Sequence, residues 1–481
     1  MLKKLRLILG SLTLLGFALL FLDLSPSKFL ATHLDWLAQI QIVPAILSAS
    51  FLILAVLLLL TLLLGRIYCS VLCPLGLTQD LLLNLLGKQK FTYLPNLKTL
   101  RLGILALLLL GLIFSLPPLI DLLDPYSHFG RIMSSIGKPL AIFIHNGLDA
   151  LTFGHFNSLA PKTLPNLALS ATIIAGITFL LLLFLLHKYG RVFCNTLCPV
   201  GTILGYLSKF AFIRPRINQT KCTNCGQCAR ICKANCIDAK NSLIDATRCV
   251  ACFNCTTVCK FEALTLRSNE PVNNSRRSAF SQVALGPLML LGSATNSEAK
   301  EEPSENELLS RTYKPRREHL VPILPAGSTS VAHFQKYCVS CQLCVAACPN
   351  QILISTDQGV GFLQPNLSFE KNYCPPSCVT CTKVCPTGAI KPLTPLEKSS
   401  IQIGRARVDF RLCLVNKDKV TCQACQRNCP TGAVALVGNG EIKQPAVDAE
   451  KCIGCGACEF YCPARPIAAI KVFGNEVQHT I

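Results

Sequence analysis

The chain has 481 residues, carries a formal net charge of +20 and is 51% hydrophobic, with only 15% charged residues. Its mean hydropathy of +0.44 excludes a single soluble globule and predicts that part of the chain lies in lipid. The cations mostly flank apolar segments and form no single basic face, so we expect no nucleic-acid partner. The 29 cysteines recur at short, regular intervals, which is typical of metal ligands and not of a disulfide framework.

Four apolar segments are long enough to cross a bilayer, which takes about 17 to 25 residues. They run approximately over residues 7–22, 46–64, 102–119 and 167–186. The first is also short enough for the core of a signal peptide, although no small-residue cleavage site follows it. Loops rich in Lys and Arg belong on the cytoplasmic side, and they stand before the first segment and after the second and fourth. We therefore predict a multi-pass protein of a bacterial inner membrane.

One phrase occurs twice, each time at the end of an apolar segment. GRIYCSVLCPLG at residues 65–76 returns as GRVFCNTLCPVG at residues 190–201. Both copies follow spans that run in the same direction, so their thiols should converge at the cytoplasmic face. If the helix continues, residues i and i+4 share one side of it. The four cysteines are Cys69, Cys73, Cys194 and Cys198. Three interpretations stay open: buried structural thiols, a shared metal or cluster site, or a redox-active dithiol pair.

Two cysteine runs follow within residues 216–268, which we assign to a cytoplasmic domain, with residues 218–266 on that side of the membrane. Each run has the spacing CxxCxxCxxxC, in which three cysteines hold one [4Fe–4S] cluster and the fourth ligates the companion cluster. One predicted ligand set is Cys222, Cys225, Cys228 and Cys259. The other is Cys249, Cys252, Cys255 and Cys232. Cys236 is an extra thiol that either replaces Cys232 or packs nearby.

Residues 274–299, NSRRSAFSQVALGPLMLLGSATNSEA, place an arginine pair before a short apolar stretch. We interpret them as a twin-arginine signal or a fifth span, with a linker that packs on the membrane as the alternative. A domain that receives iron–sulfur clusters in the cytoplasm has to be exported already folded, which favours the signal. A linker over residues 300–330 and a domain over residues 331–481 would then lie in the periplasm.

The final domain contains four further quartets, each ending in Cys-Pro. They are Cys338, Cys341, Cys344 and Cys348; Cys374, Cys378, Cys381 and Cys385; Cys413, Cys422, Cys425 and Cys429; and Cys452, Cys455, Cys458 and Cys462. Six quartets, the two CxxxCP pairs and Cys236 together account for all 29 cysteines. We therefore predict six [4Fe–4S] clusters, with an additional metal or cluster at the CxxxCP motifs as an option. A periplasmic disulfide domain would not need this spacing.

On these motifs, residues 1–266 resemble the NapH/MauN type of membrane polyferredoxin, and residues 275–481 resemble the NapG/MauM type of exported four-cluster ferredoxin. The chain as a whole resembles a fusion of the two. The expected fold is an α-helical membrane domain over residues 1–215, with four to five transmembrane helices, plus α+β domains of the bacterial ferredoxin type. In related four-cluster subunits the first quartet pairs with the fourth and the second with the third, which suits the two irregular inner quartets of this chain.

The resemblance implies that the chain is a quinol dehydrogenase component. It would pass electrons from the quinone pool of the membrane to a periplasmic reductase, such as nitrate reductase, or to a cytochrome partner. The sequence has no CxxCH motif for a c-type haem and no glycine-rich dinucleotide fingerprint after a recognisable strand. The second hypothesis is an accessory role in the maturation or maintenance of a copper enzyme, with metal handled by the CxxxCP thiols.

A quinol site has one weak candidate in the sequence. DLLDPYSHFGR at residues 121–131 follows the third span and offers Asp121, Asp124, Tyr126 and His128 near the lipid boundary, where a quinol must lose protons. The simpler interpretation is a solvated turn with a capping Asp-Pro and an interfacial tyrosine, and we favour it.

Overall fold

The computed structural model describes residues 2–25, 28–87, 90–114, 116–151, 163, 168–266, 321–355, 361, 363–438 and 442–481. The chain divides into two compact units, residues 1–266 with 320–481 and residues 267–319. The second unit lies outside the described residues, and so do the predicted twin-arginine signal at residues 274–299 and most of the predicted linker. All the predicted cysteine ligands lie in the first unit.

The N-terminal part of the first unit is helical. Its α-helices are α1 (Leu2–Leu22), α2 (Phe29–His33), α3 (Trp36–Gln39), α4 (Ile42–Leu47), α5 (Phe51–Leu64), α6 (Tyr68–Val71), α7 (Pro74–Leu85), α8 (Lys98–Ile113), α9 (Pro117–Leu123), α10 (Pro125–Ile132), α11 (Lys138–Leu151), α12 (Leu169–Tyr189) and α13 (Pro199–Leu207). Two π-helical turns, Met133–Gly137 and Phe193–Leu197, and one 3-10 turn, Ser208–Phe210, complete this region.

Two of the described helices, α1 and α12, are long and apolar enough to cross a membrane, judged by length and composition. The predicted second span is divided between α4 and α5, because Ala49 adopts a φ of +52° between them. The predicted third span ends early, since α8 stops at Ile113 and Pro117 opens α9. Large side chains on these shorter helices still face outward: Leu52 is 79% exposed and Ile113 is 72% exposed. An apolar surface of this kind needs a cover.

Two small antiparallel ladders follow the helical region. β1 (Arg216–Ile217) pairs with β4 (Leu264–Thr265), and β2 (Ile237–Asp238) pairs with β3 (Leu243–Ile244). One short helix, α14 (Gln227–Arg230), lies between β1 and β2 in the sequence. The first and last strands of this region therefore pair with each other and enclose both cysteine runs.

The C-terminal part combines short helices with three two-stranded ladders. The helices are α15 (Val331–Tyr337), α16 (Leu343–Ala347), α17 (Thr380–Val384), α18 (Pro395–Ser399), α19 (Leu414–Lys417), α20 (Ala424–Arg427) and α21 (Ala457–Phe460). The antiparallel ladders pair β5 (Leu353–Ser355) with β6 (Pro365–Leu367), β7 (Ile401–Val408) with β10 (Ile470–Thr480), and β8 (Val434–Val437) with β9 (Gln444–Val447). This combination of short helices and antiparallel ladders agrees with the expected α+β class.

Helix α1 connects the two cysteine-rich regions. At its first turn, Lys3 Nζ lies 3.4 Å from Thr257 Oγ1 in the first of these regions. At its last turn, the Phe21 ring packs 5.7 Å from the ring of Phe129, which lies on α10 against the C-terminal region. A helix of 21 residues is about 30 Å long. The two cysteine-rich regions therefore lie at opposite ends of α1.

The segment at residues 121–131 is buried between the helices and the C-terminal region. Ser340 Oγ donates a hydrogen bond of 2.6 Å to Asp121 Oδ2, and Ser127 Oγ donates one of 2.5 Å to the Val339 carbonyl. Asp121 is 0% exposed and Tyr126 is 1% exposed. The prediction of a solvated turn is therefore wrong, because this segment forms α9 and α10 against the C-terminal region. The predicted capping Asp-Pro is confirmed, since the Asp124 side chain accepts from the backbone N–H groups of Tyr126 and Ser127 at the start of α10.

Candidate redox centres

The repeated phrase folds the same way in both copies. Gly65 and Gly190 end α5 and α12 with φ values of +71° and +68°, which a residue with a Cβ rarely adopts. Cys73 and Cys198 are extended N-cap residues, and the proline after each opens the next helix at a position where no backbone N–H is needed. The apolar helix therefore does not continue through the cysteines, and the expectation that each pair shares one helix face is wrong.

Two buried arginines tie the copies together reciprocally. Arg66 Nη2 donates to Cys69 Sγ at 3.7 Å in its own copy and to the Cys194 carbonyl at 2.8 Å in the other. Arg191 Nη2 donates to Cys194 Sγ at 3.7 Å and to the Cys69 carbonyl at 2.7 Å. Both guanidinium groups are 0% exposed. Each arginine therefore positions a cysteine in both copies.

The last glycine of each phrase makes these reciprocal hydrogen bonds possible. A Cβ on Gly76 would overlap the Cys69 carbonyl oxygen and would lie 2.6 Å from Arg191 Nη2. A Cβ on Gly201 would overlap the Cys194 carbonyl oxygen and would lie 2.6 Å from Arg66 Nη2. Only glycine leaves room for the crossing arginine. The shared glycines, arginines and prolines of the phrase thus each have a structural reason.

The structure brings the four thiols of the two phrases together in a buried cluster, which we call the paired-phrase quartet: Cys69, Cys73, Cys194 and Cys198. Each is 5–6% exposed, and the charges of the other three act on Cys73. Among the described residues, Arg66 hydrogen-bonds Asn195, the Thr247 carbonyl and the two cysteines, and makes no contact with a carboxylate. Burying an unpaired guanidinium costs several kcal/mol, so negative charge on the quartet would stabilise Arg66. Burial and the charges of the neighbouring cysteines raise the pKa of Cys73 and Cys198, so that negative charge requires a cationic group bound among the sulfurs.

The first ferredoxin-type ligand set surrounds a cavity of about 30 Å³. Its lining includes Cys222, Cys225, Cys228 and Cys259, the set predicted from the spacing. The second set also comes together: burial and the charges of Cys249, Cys252 and Cys232, in that order, raise the pKa of Cys255. In both groups the fourth cysteine therefore comes from the other cysteine run, as the ferredoxin pattern predicts.

The extra thiol, Cys236, lies inside the second set. Its Sγ is 3.5 Å from Cys232 Sγ, and its hydrogen bonding also reaches Cys249. The hydrogen bond from Cys236 lowers the pKa of Cys232 to about 7, which favours the thiolate form that a metal requires. Cys232 is therefore the better ligand of the two, and Cys236 the donor that supports it.

This difference is testable by iron content. Cys232→Ser should lower the iron content by about four atoms per chain, since a [4Fe–4S] cluster needs four thiolates. Cys236→Ala should keep the iron and change the electron paramagnetic resonance (EPR) line shape of one cluster through the lost S–H hydrogen bond, and Cys236→Ser, which keeps a donor as O–H, should also keep the iron. Colorimetric iron determination on the purified variants checks it. Loss of iron in Cys236→Ser with retention in Cys232→Ser would reverse the assignment.

The quartets of the C-terminal region exchange their fourth cysteine in neighbouring pairs. A cavity of about 30 Å³ is lined by Cys413, Cys422, Cys425 and Cys462. A second, of about 10 Å³, is lined by Cys452, Cys455, Cys458 and Cys429. The third quartet thus pairs with the fourth. The pairing implied by the resemblance, first with fourth and second with third, is wrong here, because β7 and β10 fold the third and fourth quartets against each other.

The first two quartets pair in the same way. Burial and the charges of neighbours that include Cys385 raise the pKa of Cys341, to about 12. Burial and the charges of Cys374, Cys348 and Cys378 raise the pKa of Cys381. The first group is therefore Cys338, Cys341, Cys344 and Cys385, and the second is Cys374, Cys378, Cys381 and Cys348. We call the Cys338 group centre 1 and the Cys374 group centre 2. The Cys452 group is centre 3 and the Cys413 group is centre 4, so the last two are numbered against their order in the chain.

These four centres form an array. Centre 1 lies against α10, where a Cβ on Gly130 would overlap the Cys341 carbonyl oxygen. The charge of Cys381 in centre 2 reaches Cys344 in centre 1. The backbone N–H of Cys374 in centre 2 donates to the Cys455 carbonyl of centre 3 at 2.9 Å, and Cys458 of centre 3 lies within the field of Cys425 in centre 4. The order away from the helices is thus 1, 2, 3, 4.

The chemistry of these groups fits iron–sulfur clusters. Burial and neighbouring thiols raise the pKa of Cys252, Cys425 and Cys455 to about 11. Four such sulfurs become thiolates together only when a cationic core compensates their charge. In the described part of the chain, no group of three or more His, Cys, Asp or Glu side chains is spaced to hold a single metal ion.

The predicted quinol residues do not share one cavity. His128 borders an apolar space of about 250 Å³, which we call the His128 cavity, together with Leu75, Leu122, Leu181 and Phe193. Its ring is engaged on both sides: Nε2 lies 2.8 Å from the Leu122 carbonyl, and Arg131 Nη2 lies 3.1 Å from Nδ1. Asp121, Asp124 and Tyr126 are not part of this lining.

Sequence reasoning missed the cations that support the thiols. Arg66 and Arg191 belong to the repeated phrase, so the repeat itself was the signal for their role. Lys398 donates to Cys374 Sγ at 3.1 Å and to the Pro375 carbonyl at 2.7 Å. Nothing near Lys398 in the sequence signals this role, because Lys398 lies on α18 and Cys374 lies in a loop 24 residues earlier.

Comparison with protein families agrees with the cysteine geometry. Residues 47–92 and 169–218, which contain the paired-phrase quartet, match a 4Fe-4S binding domain. Residues 215–238 match another 4Fe-4S binding domain, and residues 420–465 match a 4Fe-4S dicluster domain. No solved structure has significant similarity to the chain.

Curated relatives cover parts of the chain. The methylamine utilization ferredoxin-type protein MauM of Methylophilus methylotrophus is 34% identical over 170 residues, which are 32% of this chain and 71% of that protein. The ferredoxin-type protein NapF of Escherichia coli strain K12 is 33% identical over 148 residues, 31% of this chain and 84% of NapF. MauN of Methylobacillus flagellatus is 29% identical over 171 residues, 35% of this chain and 48% of MauN.

Proposed function

Because the chain belongs to the ferredoxin-type iron–sulfur electron-transfer proteins, we propose that it carries electrons across a bacterial inner membrane from quinol to a periplasmic reductase. In this proposal it is a natural fusion of a membrane polyferredoxin with an exported ferredoxin. The six cysteine groups formed by exchange of the fourth cysteine each hold one [4Fe–4S] cluster. A bound cluster of this type stores and releases one electron at a potential set by its surroundings.

The continuous succession of thiol groups along α1 carries this proposal. The Cys249 group lies next to Arg66 and Asp80. Arg66 contacts the paired-phrase quartet directly, and Asp80 pairs with Arg191, which contacts it too. Near the middle of α1, a Cβ on Gly10 would lie 3.3 Å from the Ser70 carbonyl oxygen, beside Cys69. Near its end, Phe17 packs 6.2 Å from the Tyr126 ring, and the field of Cys341 reaches Tyr126. The chain thus supplies sulfur ligands from one end of α1 to the other.

The paired-phrase quartet is the middle station in this proposal. Without a redox group there, the Cys249 group and centre 1 would be separated by most of the length of α1. The four buried cysteines, the two arginine donors and the match of both segments to a 4Fe-4S binding domain support an iron–sulfur centre at this position. Zinc is excluded from the role, since Zn²⁺ exchanges no electrons.

The proposal is tested by EPR and iron determination on the purified full-length protein, before and after a reduced quinol analogue is added. We expect at least about 24 irons per chain, from six four-iron clusters, and new EPR signals on reduction. Two electrons and two protons leave each quinol, and the electrons enter the centres one at a time.

Two outcomes would overturn the proposal. A full iron load that quinol leaves oxidised would remove quinol as the donor. Copper bound in proportion to the chain and lost in a Cys69→Ser/Cys194→Ser variant, with iron unchanged, would replace the middle station by a copper-handling site and favour the accessory role.

A further inference from the structure

A second cavity lies between the helices and the first ferredoxin-type region. Its volume is about 300 Å³, the lower end of the range for small-molecule sites. Leu94 and Leu97 lie before α8, and Leu185 and Tyr189 on the last turns of α12; all four line the cavity. The polar part of the lining consists of Asn195, Thr196, Asn235 and Arg248. We call it the Arg248 cavity.

Two buried polar groups in this wall have unsatisfied atoms. Arg248 is 3% exposed, and it donates from Nε to Asp245 at 2.9 Å and from Nη1 to the Leu94 carbonyl at 2.6 Å. Its Nη2 has no hydrogen-bond partner among the described residues. Asn235 is 4% exposed; its Nδ2 donates to the Thr92 carbonyl at 2.6 Å, and its Oδ1 likewise has no partner. Unsatisfied buried groups of this kind usually indicate a ligand or water.

The two groups are complementary. Arg248 Nη2 offers a donor, and Asn235 Oδ1 offers an acceptor, at the polar end of an otherwise apolar space. The matching ligand has an apolar body, one oxygen that accepts and one O–H that donates. A quinone ring with its two oxygens, as quinol, semiquinone or quinone, has this chemistry.

The position of the cavity relative to the thiols points the same way. Arg248 precedes Cys249, Asn235 precedes Cys236, and a third lining residue, Asn195, follows Cys194. A ring bound here would therefore lie beside the second ferredoxin-type group and the paired-phrase quartet at the same time. The apolar wall from α12 belongs to a helix that we propose to cross the membrane, which gives an isoprenoid tail a route in.

We propose that the Arg248 cavity is the quinone headgroup site, with Arg248 and Asn235 as its two hydrogen-bonding residues. The inference rests on the proposed quinol-fed function and deepens it by placing the site at the Arg248 cavity, and not at the candidate residues of the segment 121–131. The His128 ring has both nitrogens engaged, whereas the Arg248 cavity offers two free hydrogen-bonding atoms.

The two cavities can be filled separately from one helix. Leu185→Trp fills the Arg248 cavity, and Leu181→Trp, one turn earlier on α12, fills the His128 cavity. Isothermal titration of the full-length protein in detergent with a short-tailed quinone analogue should show binding that Leu185→Trp weakens at least about tenfold and Leu181→Trp leaves unchanged. Iron content per chain reports whether each variant has folded.

A second pair of variants tests the polar end. Asn235 has a φ of +53° and Glu262, an exposed residue outside the cavity, has a φ of +48°, so both positions accept glycine without strain. Asn235→Gly should weaken binding about tenfold, the effect of one lost hydrogen bond of about 1.4 kcal/mol. Glu262→Gly should bind as the unchanged protein does. This pair decides the question even if Leu185→Trp fails to load iron.

The outcomes separate this inference from the function on which it rests. If quinol reduces the centres and only Leu181→Trp abolishes binding, the function stands and the site is the His128 cavity. If phosphatidylglycerol binds at the Arg248 cavity and the quinone analogue does not displace it, the cavity is a lipid site and the inference is wrong. If quinol reduces nothing in the unchanged protein, the proposed function fails first.

Discussion

Replacing Arg66 with methionine should cost the protein its middle thiol site and much of its stability. The side chain makes four buried hydrogen bonds that join the two phrases and the first ferredoxin-type region, through Asn195, the Thr247 carbonyl, the Cys194 carbonyl and Cys69 Sγ. Breaking a buried charge network by removing one partner costs about 3–5 kcal/mol. Methionine fills most of the volume, so lost packing contributes little to this effect.

The measurement is the midpoint of thermal loss of the iron–sulfur absorbance in the solubilised protein. A single free energy of unfolding is not defined for a protein with several bound cofactors, so midpoints are compared at one heating rate. Arg411→Met is the matched control, because Arg411 is an exposed arginine that pairs with Asp409 on the surface, and its loss should leave the midpoint nearly unchanged. Equal midpoints for the two variants would contradict the role given to Arg66.

Arg66→Lys separates charge from geometry. Lysine retains the positive charge beside the sulfurs. Its single ammonium group, however, lacks the planar set of N–H donors with which arginine reaches a sulfur in one copy and a carbonyl in the other. We expect a midpoint between those of the unchanged protein and Arg66→Met. A value equal to that of the unchanged protein would mean that charge alone matters here, and that the reciprocal hydrogen bonds contribute nothing.

Replacing Cys348 with serine should prevent electrons from reaching centres 3 and 4 of the C-terminal region. Cys348 joins Cys374, Cys378 and Cys381 in centre 2, and centre 2 separates centre 1 from centres 3 and 4. Iron should fall by about four atoms per chain. After quinol addition, EPR should show the signal of centre 1 and no signal from centres 3 and 4, because electron tunnelling falls steeply with distance.

The control removes the same amount of iron from the end of the array. Cys413→Ser deletes a ligand of centre 4, beyond which the described array has no further centre. Its iron should also fall by about four atoms, while the signals of centres 1, 2 and 3 still appear on quinol addition. Reduction of centres 3 and 4 in Cys348→Ser would show that electrons enter the array by another route and that the order derived from the contacts is wrong.

Much of the candidate site could be predicted from the sequence, because ligand spacing is local. The runs at Cys222 and Cys249 predict which cysteine crosses to the companion group, since three ligands two residues apart leave the fourth no other partner. The pairing among the C-terminal quartets could not be predicted in this way. It depends on the antiparallel β7–β10 ladder, whose strands are about 60 residues apart in the sequence, and no local pattern encodes that pairing.

The helical part was harder to predict for a related reason. Hydropathy identified α1 and α12, which are long and uniformly apolar, but it merged α4 with α5 and α8 with α9. A break at Ala49 or Pro117 replaces few apolar residues, so it hardly changes the hydropathy averaged over a segment of the sequence as long as a membrane span. The burial of Asp121 could not be predicted either, because its partner Ser340 lies 219 residues away in the sequence.

The reciprocal arginines have a consequence for how the two halves of the helical region relate. In a symmetric dimer, residue i of one subunit contacts residue j of the other, and j contacts i. The pairs Arg66–Cys194 and Arg191–Cys69 follow this rule within one chain. The two halves are thus arranged as the subunits of an isologous homodimer joined by a linker. Neither half is complete alone, so expressing one without the other should yield a protein that needs a second copy of itself to fold.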